Sequence, residues 1–179
     1  PTIMSGTDQE LFNLAMSEES RPLMYAVQKH ITENVAPITE EFFALNDEKE
    51  DRWTWHPRQT ELLEGAKAKA KESGLWNFFL PDAETGQGLN NLDYAYIAAE
   101  LGKYSLASET LNCSAPDTGN MEVLERVGTP EQKDKWLTPL LNGEIRSAFA
   151  MTEPGVASSD AKNISTSAVL KNGERDRKS

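Results

Sequence analysis

The sequence predicts a mainly α-helical domain followed by the start of a β-domain, and three observations carry that prediction. Apolar residues recur at spacings of three and four through most of the first 144 positions, the period of a buried helix stripe. Prolines and glycines sit where such stripes begin and end. After Gly143 the period changes from helical to alternating. The expected organisation is an all-α domain over residues 1–144, the first strands of an incomplete β-domain over 145–173, and a charged tail over 174–179.

The first stripe comprises Met24, Val27, Ile31, Val35, Ile38, Phe42 and Leu45. Pro37 interrupts it and lacks an amide proton, so a kink or a break is expected there. The charged run Asp47 to Asp51 reads as a solvated loop. Pro57 opens a second helix carrying Leu62, Leu63, Ala66 and Ala70, and Gly74 supplies its left-handed stop. Leu75 to Pro81 is an apolar connector too short for a helix, and Gly86 and Gly88 follow as turn residues. Tyr94, Ile97, Ala98 and Leu101 before Gly102 mark a third helix. Met121, Leu124 and Val127 before Gly128 mark part of another. Thr129-Pro130-Glu131-Gln132 is a capping box, which should open a helix that buries Trp136, Leu137, Leu140 and Leu141 and stops at Gly143. Ser147, Phe149 and Met151 then alternate with Ala148, Ala150 and Thr152 as a strand, and Ile164 to Leu170 alternates as a second. Asn172-Gly173 favours a hairpin turn, but Glu174 to Ser179 is charged, and no partner strand is expected there.

Composition narrows the function. The chain has 179 residues with 38% hydrophobic residues, and four Trp, six Phe and four Tyr give it core material that disordered segments lack. A formal charge of −11 argues against a nucleic-acid surface, which needs clustered Lys and Arg. The single cysteine, Cys113, cannot close an internal disulfide, so a reducing compartment fits best. No apolar run is long enough to span a bilayer. The chain opens without Met, so it reads as an excised segment; no targeting peptide is visible in it.

Most candidate chemistry is weak. His30 and His56 have no second His or Cys at ligand spacing, so surface or capping roles are expected and no metal site. Glu40, Glu41, Glu61 and Glu64 read as solvated helix faces, and Ser114 lacks the elbow motif of a serine hydrolase. Met151 to Asp160 differs. Thr152 closes a strand, Pro154 and Gly155 turn the chain, and Ser158 and Ser159 add hydroxyls and amides that suit a phosphate or the rim of a planar heterocycle. Read by itself, such a segment is more often an ordinary surface loop than a ligand cradle.

Phe149 to Asp160, F-A-M-T-E-P-G-V-A-S-S-D, resembles the flavin-binding signature of the acyl-CoA dehydrogenase family. Gly74 to Asp82, Leu92 to Gly102 and Val127 to Glu144 resemble further family segments in the same order, and V-A-S-S-D is similar to a subgroup found as the C-terminal part of larger proteins. The resemblance implies FAD as cofactor, with Phe149, Met151 and Thr152 lining the flavin ring. It places Ser158 and Ser159 near the pyrophosphate and Ser159 also near the acyl-CoA substrate. The usual loop is one residue shorter, with Gly before its Ser, so the resemblance does not decide between the two serines.

The implied reaction removes the α-proton of an acyl thioester with a carboxylate base while hydride passes from the β-carbon to the flavin. The base belongs to a C-terminal domain outside these residues, so no catalytic residue is expected within this chain. Alone, the chain reads as a truncated and inactive form, or alternatively as a non-catalytic interaction or regulatory variant. For the full-length family the resemblance implies electron-transferring flavoprotein as acceptor, homo-oligomers, and a mitochondrial location with the peroxisome as alternative.

Overall fold

The structure is a computed structural model that describes residues 14–49, 51, 53–81, 86–156, 160–171 and 174–178, with side chains through residue 169. The chain divides into two compact units, residues 1–146 and 147–179.

The first unit is helical. Helix α1, Arg21–His30, continues through a π turn, Ile31–Val35, into α2, Ala36–Ala44, and a 3-10 turn, Leu45–Glu48. Where the sequence predicts a kink or a break at Pro37, the structure widens the helix instead. The Ala36 amide reaches back five residues to the Ile31 carbonyl, and this extra residue per turn accommodates a proline that lacks a donor and crowds the preceding turn. The same device recurs near the end of the unit. Helix α7, Pro130–Gln132, passes through a π turn, Lys133–Leu137, into α8, Thr138–Leu141, and Pro139 stands two residues beyond that turn, as Pro37 stands beyond the first.

Between them lie α3, Pro57–Glu72; α4, Asn91–Leu101; the short α5, Ala107–Thr110, which periodicity did not reveal; and α6, Asp117–Val127. Helix α1 packs on α4, α3 on α2 and α5, and α6 on α8 and the second π turn. Their shared core contains Val27, Val35, Phe78, Leu80, Ile97, Leu111 and Met121, all fully withdrawn from solvent. The connector Leu75 to Pro81 contributes Leu75, Phe78, Phe79 and Leu80 to this core.

Helix ends are satisfied locally and at long range. His56 Nδ1 accepts the Arg58 amide while Gln59 Oε1 accepts the His56 amide, so His56 caps α3. The buried Gln59 also donates to the Phe42 carbonyl at 2.8 Å and so ties α3 to the end of α2. Thr129 and Gln132 form the predicted capping box. At the end of α8 the orphan carbonyls all find donors. Asn112 reaches Leu140, Trp76 Nε1 and Asn77 reach Leu141, and Lys71 reaches Asn142. Gly143 then takes φ of +71°, and a Cβ there would lie 2.9 Å from the Trp76 ring, so glycine is required twice over.

Two expectations for this unit are corrected. His30 is buried rather than at the surface, and Trp136 is 46% exposed rather than in the core. Trp136 lies inside the second π turn, and the inserted residue rotates the helix face away from the 3.6-residue phase that the sequence stripe assumes.

The second unit contains a two-stranded antiparallel sheet, β1 (Ser167–Lys171) with β2 (Glu174–Lys178), in the register Ser167↔Lys178 to Lys171↔Glu174. The segment expected as a charged tail is therefore paired from Glu174 to Lys178. The ladder is made by main-chain groups, so it does not need the apolar alternation on which the sequence reading insisted. Conversely, Ser147 to Thr152 is not a strand, because alternation without a neighbouring strand has no ladder to join. The Asn172-Gly173 turn lies outside the described residues.

Candidate functional site

The segment that the sequence singles out runs through the second unit. Phe149 is 65% and Met151 52% exposed, and Thr152 is exposed as well. They sit at alternating and adjacent positions of a stretch without regular secondary structure that ends where Pro154 and Gly155 turn the chain. Ser158 and Ser159 lie outside the described residues. Beyond the turn, Asp160 accepts the Lys162 amide and caps the short 3-10 turn Ala161–Asn163.

Glu153 organises this region. Its Oε2 accepts the Ser165 amide at 3.0 Å and the Ser165 hydroxyl at 2.8 Å, and its Oε1 accepts the Thr166 amide at 2.7 Å and the Thr166 hydroxyl. One carboxylate thus fastens the start of the turn to the two residues that precede β1. The Thr166 hydroxyl, followed by the Ser165 groups, stabilises the ionised form and pushes its pKa down to about 2. The sequence alone assigns Glu153 no role of its own. The adjacent hydroxyl pair Ser165-Thr166 was the available signal, but nothing local links it to a residue twelve positions earlier.

In the first unit the ionisable groups serve the fold. Burial, followed by the Lys69 charge, lowers the pKa of His30. Thr110 donates its hydroxyl to the Ala107 carbonyl, so it can only accept from His30 Nε2, and Nδ1 is left to accept from Asn34. This assigns a neutral Nε2–H imidazole held on both sides. Burial pushes the Cys113 thiol up to about 12, which removes it as a nucleophile. Asp93 accepts from the Ser17 amide, both Ser17 and Ser20 hydroxyls and Asn90, and is held ionised by them. Arg146 bonds Asp117 at 2.5 Å and Glu109 at 2.6 Å, and Lys67 adds a second cation to Glu109 at 3.0 Å. Between α4 and α6 lies a groove of about 320 Å³ whose lining includes Phe79, Leu89, Tyr94, Thr118 and Arg126. Among the described residues no group of three or more His, Cys, Asp or Glu is arranged to hold a metal ion. No helix there is long and apolar enough to cross a membrane.

A helical domain with these caps and this connector, leading into the M-T-E-P segment, defines the class, and the comparisons agree. Residues 17–144 match the family model for the acyl-CoA dehydrogenase N-terminal domain. The chain is 47% identical over 163 residues to mouse acyl-CoA dehydrogenase family member 10, covering 88% of this chain and 15% of that protein. It is 46% identical over 169 residues to acyl-CoA dehydrogenase family member 11 from Gallus gallus, covering 93% of this chain and 21% of that protein. A solved structure from Mycobacterium abscessus, provisionally assigned as an acyl-CoA dehydrogenase, superposes with a TM-score of 0.81 at 46% identity, over 90% of this chain and 40% of that one. This chain belongs to the acyl-CoA dehydrogenase family. It spans only about a fifth of the length of these curated relatives.

Proposed function

We propose that these residues form the helical domain and one wall of the cofactor site of an enzyme that oxidises acyl-CoA thioesters with FAD, as in fatty-acid β-oxidation. The observation that supports this most directly is the exposed pair Phe149 and Met151 beside Thr152, inside the segment that resembles the family's flavin signature. Two large apolar side chains left in water suit a planar apolar ligand, and the neighbouring hydroxyl suits its polar edge. In this reading Phe149, Met151 and Thr152 face the isoalloxazine ring, Ser158 and Ser159 serve the pyrophosphate, and Ser159 also lies near the acyl-CoA. FAD bound there supplies the hydride acceptor for the acyl β-carbon. The protein's share is to exclude water from the ring and to fix its edge through Thr152.

The same reading assigns electron-transferring flavoprotein as the electron acceptor, a homo-oligomeric assembly, and a mitochondrial location with the peroxisome as alternative. The 179 residues taken alone are inactive in this reading, because the carboxylate base stands in a domain they do not include. One wall also leaves the ring in water, which limits FAD affinity to roughly the millimolar range, about −4 kcal/mol. The purified chain should therefore be colourless, show no dye reduction with acyl-CoA substrates, and bind added FAD weakly at Phe149 to Thr152. Turnover, micromolar FAD binding, or FAD binding elsewhere on the chain would overturn the proposal.

A further inference from the structure

Glu153 makes more hydrogen bonds than a solvated surface carboxylate needs. Water would satisfy its oxygens at no cost in chain entropy, yet they accept four donors from two consecutive residues, Ser165 and Thr166. The donors are divided evenly, one amide and one hydroxyl to each oxygen, which fixes the plane of the carboxylate as well as its position. The result joins residue 153 to residues 165 and 166 through one side chain. Asp160 makes a further local side-chain bond, to the Lys162 amide. The depressed pKa of Glu153 shows the same bonds from the other side, since only the charged form can accept all four.

The placement of this brace matters because Glu153 directly follows Thr152 and Met151. A residue whose side chain is anchored has a fixed Cα, and the peptide that enters it is constrained in turn. We infer that Glu153 is a positioning residue of the cofactor site: by binding Ser165 and Thr166 it holds the Met151-Thr152 stretch in the conformation that receives the flavin. This rests on the reading of that stretch as the flavin wall.

The inference opposes simple electrostatics. An anionic side chain next to a ligand with a charged pyrophosphate should repel it, so on charge alone Glu153→Gln would tighten FAD binding. A brace predicts the reverse, because Gln retains one acceptor oxygen and loses the other.

The test is an amide NMR titration of the purified chain with FAD up to about 10 mM, a range suited to millimolar affinity. In the unmodified chain the expected result is saturable shifts confined to Phe149 to Thr152 and the residues bonded to Glu153. In Glu153→Gln the dissociation constant should rise at least about fivefold, and the Ser165 and Thr166 amides should lose hydrogen-exchange protection while the helical unit melts as before. Thr166→Val keeps the shape and the charge but removes one hydroxyl donor; it should weaken FAD in the same direction by less, and it provides the test if Glu153→Gln does not fold. Equal or tighter binding by Glu153→Gln, or by Thr166→Val in its place, would overturn the positioning role while leaving the flavin wall intact. An absence of localised shifts in the unmodified chain would overturn the flavin wall itself, and the inference with it.

Discussion

In the helical unit, Phe78, Leu80, Ile97, Leu111 and Met121 have no solvent exposure, whereas none of the described residues from 147 to 169 is buried. The first region is held by apolar packing that excludes water. The second is held by main-chain pairing between β1 and β2 and by the Glu153 carboxylate. The helical unit buries Phe42, Phe78 and Phe79 and leaves other large side chains such as Phe43, Trp53 and Val127 in solvent, whereas the second region presents Phe149 and Met151 to solvent and buries none of its described residues. The difference teaches that the residues with candidate chemistry are supported by polar braces and not by a core of their own. Apolar surface left uncovered there is available to a ligand, at the expense of independent stability.

The largest expected effect breaks the first region and should spare the second. Phe78 is fully buried in the connector, at 6.3 Å between ring centroids from Tyr94. Phe78→Ala should cost about 3–5 kcal/mol of unfolding free energy, from lost transfer energy and a cavity that rigid helices fill poorly. Urea denaturation followed by helical circular dichroism measures it. A loss under about 1 kcal/mol would mean that the connector is not part of the core.

A smaller effect separates the regions by pH. His30 is neutral in the fold and its pKa lies below the ordinary 6.5. As pH falls through 6.5 the unfolded chain takes up a proton that the folded chain refuses, so helical stability declines from there downward. Glu153 behaves differently. Its pKa is about 2 against an ordinary 4.5, so its brace is fully present above 4.5 and is lost only as pH falls toward 2. Urea midpoints of the helical unit should therefore drop between about pH 7 and pH 5.5, while amide protection at Ser165 and Thr166 stays constant over the same interval. His30→Gln should flatten the first trend. A midpoint independent of pH in the unmodified chain would contradict the neutral buried imidazole.

What could be read from the sequence follows the range of each interaction. The Thr129 and Gln132 capping box, the Pro57 helix start, the left-handed stop at Gly74 and the helix stop at Gly143 are settled within a few residues, and the structure has them all. His30 finds its partner Thr110 eighty positions away, so its burial left no local trace. Trp136 was misplaced because a π turn shifts the phase that a periodicity argument holds constant. The stretch around Phe149 alternates in sequence as a strand does, yet strand formation depends on a neighbour and not on alternation. In the candidate site, the motif drew attention to Phe149, Met151 and Thr152, but the carboxylate that braces them was visible only once Ser165 and Thr166 stood beside it.

The smallest expected effect is the sharpest test of the contrast. Phe149 and Met151 are 65% and 52% exposed, so the folded chain gains little from them that the unfolded chain does not already have. Replacing buried side chains of that size would cost several kcal/mol, as Phe78 should show. Neither residue is needed for the β1 and β2 ladder, whose register begins at Ser167. Neither contributes to the Glu153 brace, which uses only Ser165 and Thr166. The double substitution Phe149→Ser with Met151→Ser should therefore change the urea midpoint of the helical unit by an amount equivalent to no more than about 0.5 kcal/mol. It should also leave Ser165 and Thr166 protected from exchange, while removing the FAD-induced shifts at Thr152. Those shifts require an apolar surface for the ring, and Thr152 alone offers only an edge contact. A stability loss above about 1 kcal/mol would place both side chains in a packed environment in solution and erase the distinction between the two regions. Undiminished FAD shifts would leave the distinction standing and would take Phe149 and Met151 out of the site.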